Sequence, residues 1–134
     1  MDIYTANGCI HELLTYAALL DGPETEKESE YLKLFSKILS RTKLTISSVK
    51  DLPELEEICF QINDDELKNK AMRYLTFFMA NTEQDEAMYL ELVSKLQAML
   101  RISDEYVADL KSYYSQLKEI SNFKNNKLKI QKES

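Results

Sequence analysis

One stretch of this sequence occurs twice, and this repetition constrains the fold more than any other feature. The first copy, at residues 31–38, reads YLKLFSKI, and the second, at residues 89–96, reads YLELVSKL. At the same offset of 58 residues, residues 16–52 align with residues 74–110 without a gap, with ten identical pairs among the 37. Unrelated segments would share roughly two or three identities. We therefore expect a duplicated helical unit.

The composition favours helices joined by short connections. Gly and Pro occur only twice each in 134 residues, and both are poorly tolerated inside helices. No segment alternates between apolar and polar residues for long enough to predict a strand. We predict an all-α fold, a compact bundle of about six to seven helices from two pseudo-symmetric repeats. A single domain is expected over residues 1–120, followed by a basic, flexible tail over residues 121–134.

Capping signals place the first helix boundaries. The first helix should begin between Tyr4 and Ile10, and the Asp-Gly-Pro sequence at residues 21–23 should end it. Thr25 and Glu28 have the spacing of a capping box, which predicts the start of the second helix. The second helix is expected to end near Thr42. Its predicted inward stripe is Tyr31, Leu34, Phe35, Ile38 and Leu39.

Later boundaries follow from similar signals. Thr45 predicts the N-cap of a short helix that reaches Leu52, and Pro53 predicts the first residue of the next helix. The acidic turn at residues 63–65 should cap a helix that ends at about residue 80. In the duplicated unit Leu34 corresponds to Leu92, and we expect both to be buried in a shared core.

The charge distribution narrows the classes of partner. The net charge is −6. Residues 121–134 carry four lysines against one glutamate, which leaves −9 on the first 120 residues. An acidic body argues against a nucleic-acid partner, because phosphate contacts need clustered Lys and Arg.

Other features bear on the cellular location. No apolar run approaches the roughly 20 residues that span a bilayer, and the N-terminus lacks a secretory signal pattern. Cys9 and Cys59 form no CxxC or disulfide pattern, which fits a reducing compartment. The expectation is a cytoplasmic protein without a membrane span.

Three carboxylates near the first turn are candidate metal ligands. Asp21, Glu24 and Glu28 lie on a turn and the following first helical turn, and their oxygens suit Ca²⁺ or Mg²⁺. The loop is not an EF-hand, because its glycine directly follows the first aspartate. A structural explanation stays open, since Glu28 also fits the capping box and the helix dipole favours acids at this position.

Catalytic patterns are missing from the sequence. His11 is the only histidine, so a di-iron bundle or a nucleophile–histidine pair would depend on it alone. Cys9 lies two residues away, a spacing that points the two side chains in different directions on a helix. We therefore predict that the protein is not an enzyme.

Tyrosines offer candidates for a protein interface. The chain holds eight of them, and tyrosine is enriched both at binding hot spots and at the edges of small cores. Because Tyr113 and Tyr114 are adjacent on a predicted helix, they cannot both face inward fully. They are the interface candidates.

The order of these elements resembles the tellurite-resistance TerB-like family over residues 13–117. The resemblance rests on AALLDG at residues 17–22, followed by Glu28 and the apolar stripe of the second helix. It implies a compact all-helical domain, metal binding by the acidic residues, and a stress- or phage-defence-related scaffold role without catalysis. The second repeat departs from the pattern, with Ala80-Asn81 in place of Asp-Gly, so a symmetric pair of metal sites is not expected.

Two hypotheses about function follow. The first is a non-catalytic TerB-like protein that binds an unidentified protein partner, with a divalent cation modulating the interaction. The second is a small acidic inhibitor or immunity-type protein, whose carboxylates would occupy a basic surface on its target. The sequence leaves the oligomeric state open.

Overall fold

The fold is helical throughout the part that the structure describes. A computed structural model describes the backbone of residues 3–39 and 48–133, and the side chains of residues 7–39 and 48–121. These residues form six α-helices, one 3₁₀ turn and no strand, which confirms the all-α prediction for them. The helices are α1 (Ile3–Ala18), α2 (Glu26–Ile38), α3 (Leu55–Phe60), α4 (Asp65–Asn81), α5 (Glu86–Leu100) and α6 (Asp104–Glu133), and the 3₁₀ turn is Val49–Asp51.

The turn between α1 and α2 follows from its sequence. Gly22 has a φ of +126°, a backbone conformation that residues with a Cβ rarely adopt. The Thr25 hydroxyl accepts a hydrogen bond from the Glu28 amide at 3.1 Å, and the Glu28 carboxylate accepts one from the Thr25 amide at 2.8 Å. The predicted capping box is therefore confirmed.

Three predicted boundaries differ from the observed ones. α2 ends at Ile38, earlier than predicted, with Leu39 as its C-cap and the Leu39 amide donating to the Phe35 carbonyl. Pro53 is not the first residue of α3. Instead, Glu54 is its extended N-cap, and the Glu54 carbonyl accepts the first helical bonds. α6 continues past residue 121 to Glu133, and the predicted N-cap at Thr45 lies outside the described residues.

α1 is the central helix of the bundle. It packs against α2, α3 and α4, and even its polar residues His11 and Thr15 are at most 1% exposed. A helix that is buried around most of its circumference lies inside the core and not at its surface. Its apolar residues at helical spacing are completely buried, namely Ile10, Leu13, Leu14 and Ala17.

Aromatic contacts join α2 to α4. The Phe35 ring lies 5.1 Å from the Tyr74 ring, and the Tyr31 ring lies 6.1 Å from the Phe77 ring. Tyr31 precedes Phe35 in α2, whereas its partner Phe77 follows Tyr74 in α4. The two helices therefore run antiparallel. Such ring pairs add to the free energy gained by burial.

α6 runs parallel to α4 and packs against it. The Tyr106 hydroxyl donates a hydrogen bond to the Asn69 side-chain carbonyl at 2.6 Å. Further along both helices in the same direction, the Arg73 guanidinium lies 4.8 Å from the centre of the Tyr113 ring. α4 is therefore flanked by α2 and α6.

A buried tyrosine connects α4, α5 and α6. Tyr89 is fully buried, and its ring stacks on the Tyr114 ring at 4.0 Å. Its hydroxyl donates to the Leu110 carbonyl at 3.3 Å and lies 2.9 Å from the Thr76 hydroxyl. Burial raises the pKa of Tyr89 to about 12, so the phenol stays neutral and keeps its donor at ordinary pH.

Burial in α2 and α5 does not follow the offset at which their sequences match. Leu92 is 2% exposed, whereas its counterpart Leu34 is 46% exposed, so the prediction that Leu34 is a core residue is wrong. The buried positions of α2 match those of α5 when the offset is three residues larger than the one that aligns the sequences. At that larger offset Phe35 corresponds to Leu96, for example, and both are buried. Three residues rotate a helix by about 300°, which is about 60° short of a full turn. The buried face of α5 is therefore rotated by about 60° from the face that the sequence alignment predicts.

No described helix has the length and apolar character needed to cross a membrane.

We predict that truncation will separate the two leucines that the sequence repeat makes equivalent. Leu92→Ala should lower the free energy of unfolding by about 2–5 kcal/mol, because it empties a buried position. Leu34→Ala should cost less than about 1 kcal/mol, since much of that side chain is already in water. Urea unfolding of both variants measures the difference. Equal losses would contradict the observed burial.

Candidate functional site

An acidic cleft lies where the α1–α2 turn meets the α4–α5 turn. It has a volume of about 600 Å³. Its charged lining residues are Asp21, Glu26, Lys27, Glu28, Glu30 and Glu83. The only cation among these six, Lys27, is 3.3 Å from the Glu83 carboxylate, and this exposed pair contributes little to stability. The cleft therefore presents mainly hydrogen-bond acceptors and negative charge.

A buried carboxylate closes the inner wall of the acidic cleft. Glu28 is 2% exposed, and its second carboxylate oxygen accepts a hydrogen bond from the Gln84 side-chain amide at 2.7 Å. The same amide nitrogen donates to the Ala17 carbonyl at 2.7 Å. Both partners are acceptors, which fixes the orientation of the Gln84 amide group. Neutral donors alone thus hold this carboxylate in the part of the chain that the structure describes.

The predicted metal ligands are close in sequence but differ in environment. Asp21 is exposed and Glu28 is buried, and both oxygens of Glu28 already accept hydrogen bonds. Among the described residues, no group of three or more His, Cys, Asp or Glu side chains is arranged to hold a metal ion. Asp21, Glu24 and Glu28 therefore do not form a cation site in this arrangement, and metal binding by them stays a prediction.

A second surface, the apolar groove, lies over α4 between α2 and α6. It has a volume of about 280 Å³. Its lining residues are Leu34, Phe35, Ile38, Arg73, Tyr74, Phe77 and Tyr113. Leu34 and Ile38 are 46% and 52% exposed, and they lie one helical turn apart on α2. Large apolar side chains on adjoining turns form a continuous surface that water solvates poorly.

Arg73 provides the only charge among the lining residues of the apolar groove. Its guanidinium lies over the Tyr113 ring, an arrangement that holds a cation by its attraction to the face of the ring. No described carboxylate lies within 4.0 Å of this guanidinium. Burial raises the pKa of Tyr106, the neighbouring Asp109 adds to this shift, and the positive charge of Arg73 opposes it.

The two adjacent tyrosines of α6, Tyr113 and Tyr114, lie on different sides of the helix. Tyr114 is 2% exposed and stacks on Tyr89, so its prediction as an interface residue is wrong. Burial also raises the pKa of Tyr114. Tyr113, about 100° further round the helix axis, lines the apolar groove and remains an interface candidate.

The histidine and both cysteines are buried. The His11 ring nitrogen Nε2 lies 3.2 Å from the Leu32 carbonyl. The Cys9 thiol donates to the Gln61 side chain at 3.3 Å. Burial, reinforced by Glu56, raises the pKa of Cys59 to about 11, so this thiol is protonated at neutral pH and is a weak nucleophile.

Two residues of these surfaces carry no signal in the sequence. Gln84 precedes the α5 N-cap, Asp85, and nothing near it indicates a buried partner 56 residues earlier. Arg73 is a single cation within a helical stripe. Only tertiary packing brings each to its surface.

We compared the chain with models of known families, with curated proteins and with solved structures, and found no match in any of the three.

We predict that Gln84→Ala will destabilise the protein by about 1–3 kcal/mol, because it removes the donor to a buried carboxylate oxygen. Glu83→Ala is the matched control on the same turn. Its carboxylate is exposed and makes only the surface pair with Lys27, so the loss should stay below about 0.5 kcal/mol. Thermal or urea unfolding gives both values. A Gln84→Ala loss no larger than the control's would show that the buried bond contributes nothing.

Proposed function

We propose that this protein is a non-catalytic helical binding protein of TerB-like type, which acts in the cytoplasm by holding a protein partner at the apolar groove. The observation that supports this proposal is the exposure of Leu34 and Ile38 beside an aromatic floor. Clustered apolar surface of this kind is typical of interaction sites. Tyr113 and Arg73 also belong to residue types that are enriched in binding hot spots.

Among residues 7–39 and 48–121, the other exposed large apolar side chains do not form a comparable surface. Phe60 is 83% exposed on α3, Leu90 is 38% exposed on α5 and Ile120 is 54% exposed on α6. Each lies on a different helix, and single exposed apolar side chains are normal on protein surfaces. The apolar groove is therefore the binding surface in this proposal.

The TerB-like part of the proposal rests on the resemblance of residues 13–117 and on the duplicated sequence. In this proposal the two halves descend from one unit, although their buried faces now differ in register. A divalent cation, Ca²⁺ or Mg²⁺, would modulate binding through Asp21, Glu24 and Glu28 after these side chains rearrange. The role in the cell is a stress-related scaffold.

The alternative function, a small acidic inhibitor or immunity-type protein, is supported by the acidic cleft. Its lining holds five carboxylates and one lysine, so its field attracts a basic surface and would raise the association rate. Binding of this kind weakens steeply with salt, because exposed charges are screened over about 10 Å at 0.1 M ionic strength. Binding at the apolar groove depends much less on salt.

Quantitative affinity capture from a lysate of the source organism tests the two alternatives. We predict that the double variant Leu34→Ser/Ile38→Ser loses about tenfold or more of the specifically captured protein. Leu90→Ser, at an exposed leucine of α5 outside the groove lining, is the control and should capture normally. Capture should persist at about 0.15 M salt.

The acidic-inhibitor alternative predicts the opposite pattern. Glu26→Gln/Glu30→Gln would then abolish capture, and wild-type binding would fail at physiological salt. Equal capture by the groove variant and the wild type would contradict the proposed function. A chelator arm tests the cation, since unchanged capture in EDTA argues against a role for it. Circular dichroism confirms that each variant is folded.

A further inference from the structure

The chemistry of the apolar groove specifies the kind of segment that it can hold. We propose that the groove takes an amphipathic helix with an acidic residue, which packs its apolar face on Leu34 and Ile38 and pairs its carboxylate with Arg73. This inference rests on the proposed function and adds the identity of the bound segment. Its test is arranged so that the two can fail separately.

The shape of the groove favours a helix. Its sides come from two helices, with Leu34 and Ile38 on α2 and Tyr113 on α6, and α4 forms its floor. A third helix can place its side-chain ridge in such a depression, as packed helices do within proteins. Leu34 and Ile38 are spaced at i and i+4 and so match anchors one turn apart on the incoming helix.

The charge in the groove favours a carboxylate. The Arg73 guanidinium is exposed, is held over the Tyr113 ring and has no carboxylate within 4.0 Å among the described residues. Arginine binds carboxylates through two parallel hydrogen bonds. Because the Tyr113 ring already restricts the Arg73 side chain, binding a carboxylate would cost that side chain less conformational entropy. Lys37, beside Ile38 in the sequence, is exposed too and adds positive charge to the α2 side.

Two other occupants fit the groove less well. A small amphiphile would be mostly enclosed in a typical ligand site, whereas Leu34 and Ile38 remain about half exposed. A second copy of this chain across a twofold axis would bring the same surface from each copy together. Arg73 and Lys37 of one copy would then approach the same cations of the other, which is unfavourable.

A phage-displayed library of helical 16-residue peptides provides the probe, because it samples apolar and charged positions without assuming one partner sequence. Selection uses the full-length protein. Enriched peptides should carry apolar residues at i, i+3 or i+4, and i+7, with at least one Asp or Glu beside them. Enrichment of basic peptides, or no enrichment at all, would overturn the inference.

Fluorescence anisotropy with the strongest enriched peptide then tests the individual contacts. Arg73→Gln should weaken binding by about tenfold or more, and replacing the peptide's acidic residue by its amide should do the same. The two losses should not add when both changes are combined, because they remove one pair. Arg101→Gln, an exposed arginine outside the groove lining, is the control and should bind normally.

The outcomes also separate this inference from the proposed function. If Leu34→Ser abolishes peptide binding while Arg73→Gln has no effect, the groove binds proteins but not through a carboxylate, and the inference fails alone. If neither variant matters, both fail. If dodecanoate displaces the labelled peptide at a lower concentration than the unlabelled peptide does, the groove holds a small amphiphile and the inference fails. A dimer in light scattering that Leu34→Ser dissociates would favour a second copy.

Discussion

The hydrogen bond between Glu28 and Gln84 is the contact on which the arrangement of α2 depends. It joins the first turn of α2 to the α4–α5 turn. The same Gln84 nitrogen also donates a hydrogen bond to the Ala17 carbonyl at the C-terminal end of α1. A carboxylate in this position is costly to bury without donors, so the bond restricts the rotation of α2. Residues on the Glu28 face, such as Phe35, then meet the core. Leu34 lies about 120° from Glu28 around the helix and faces outward.

This rotation gives α2 a part in both candidate surfaces. Its first turns contribute Glu26 and Glu30 to the acidic cleft, and its later turns contribute Leu34 and Ile38 to the apolar groove. The two surfaces have different physical characters. The cleft attracts cations over a distance that salt shortens, while the groove offers apolar contact that salt affects little. A partner that touched both would combine fast association with a durable contact, although each proposed function uses only one of them.

Local signals in the sequence predicted local structure well. The capping box at Thr25 and the positive φ of Gly22 depend on neighbouring residues, and both were predictable from them. Burial was less predictable, because α2 carries both Leu32 and Leu34 and periodicity alone does not say which one faces inward. The buried face of α2 includes Glu28, whose partner Gln84 is a residue of the other half of the chain. The same limit applies to the candidate site, since the acidic turn was visible in the sequence and Arg73 was not.

A double-mutant cycle between Glu28→Ala and Gln84→Ala tests this account most directly. Urea unfolding of the wild type, the two single variants and the double variant isolates the coupling between the two side chains from their separate effects on the capping box and on packing. If their bond holds α2 against the α4–α5 turn, the coupling should be at least about 1 kcal/mol, as expected for a buried hydrogen bond to a charged group. Additive losses, with a coupling below about 0.5 kcal/mol, would contradict it.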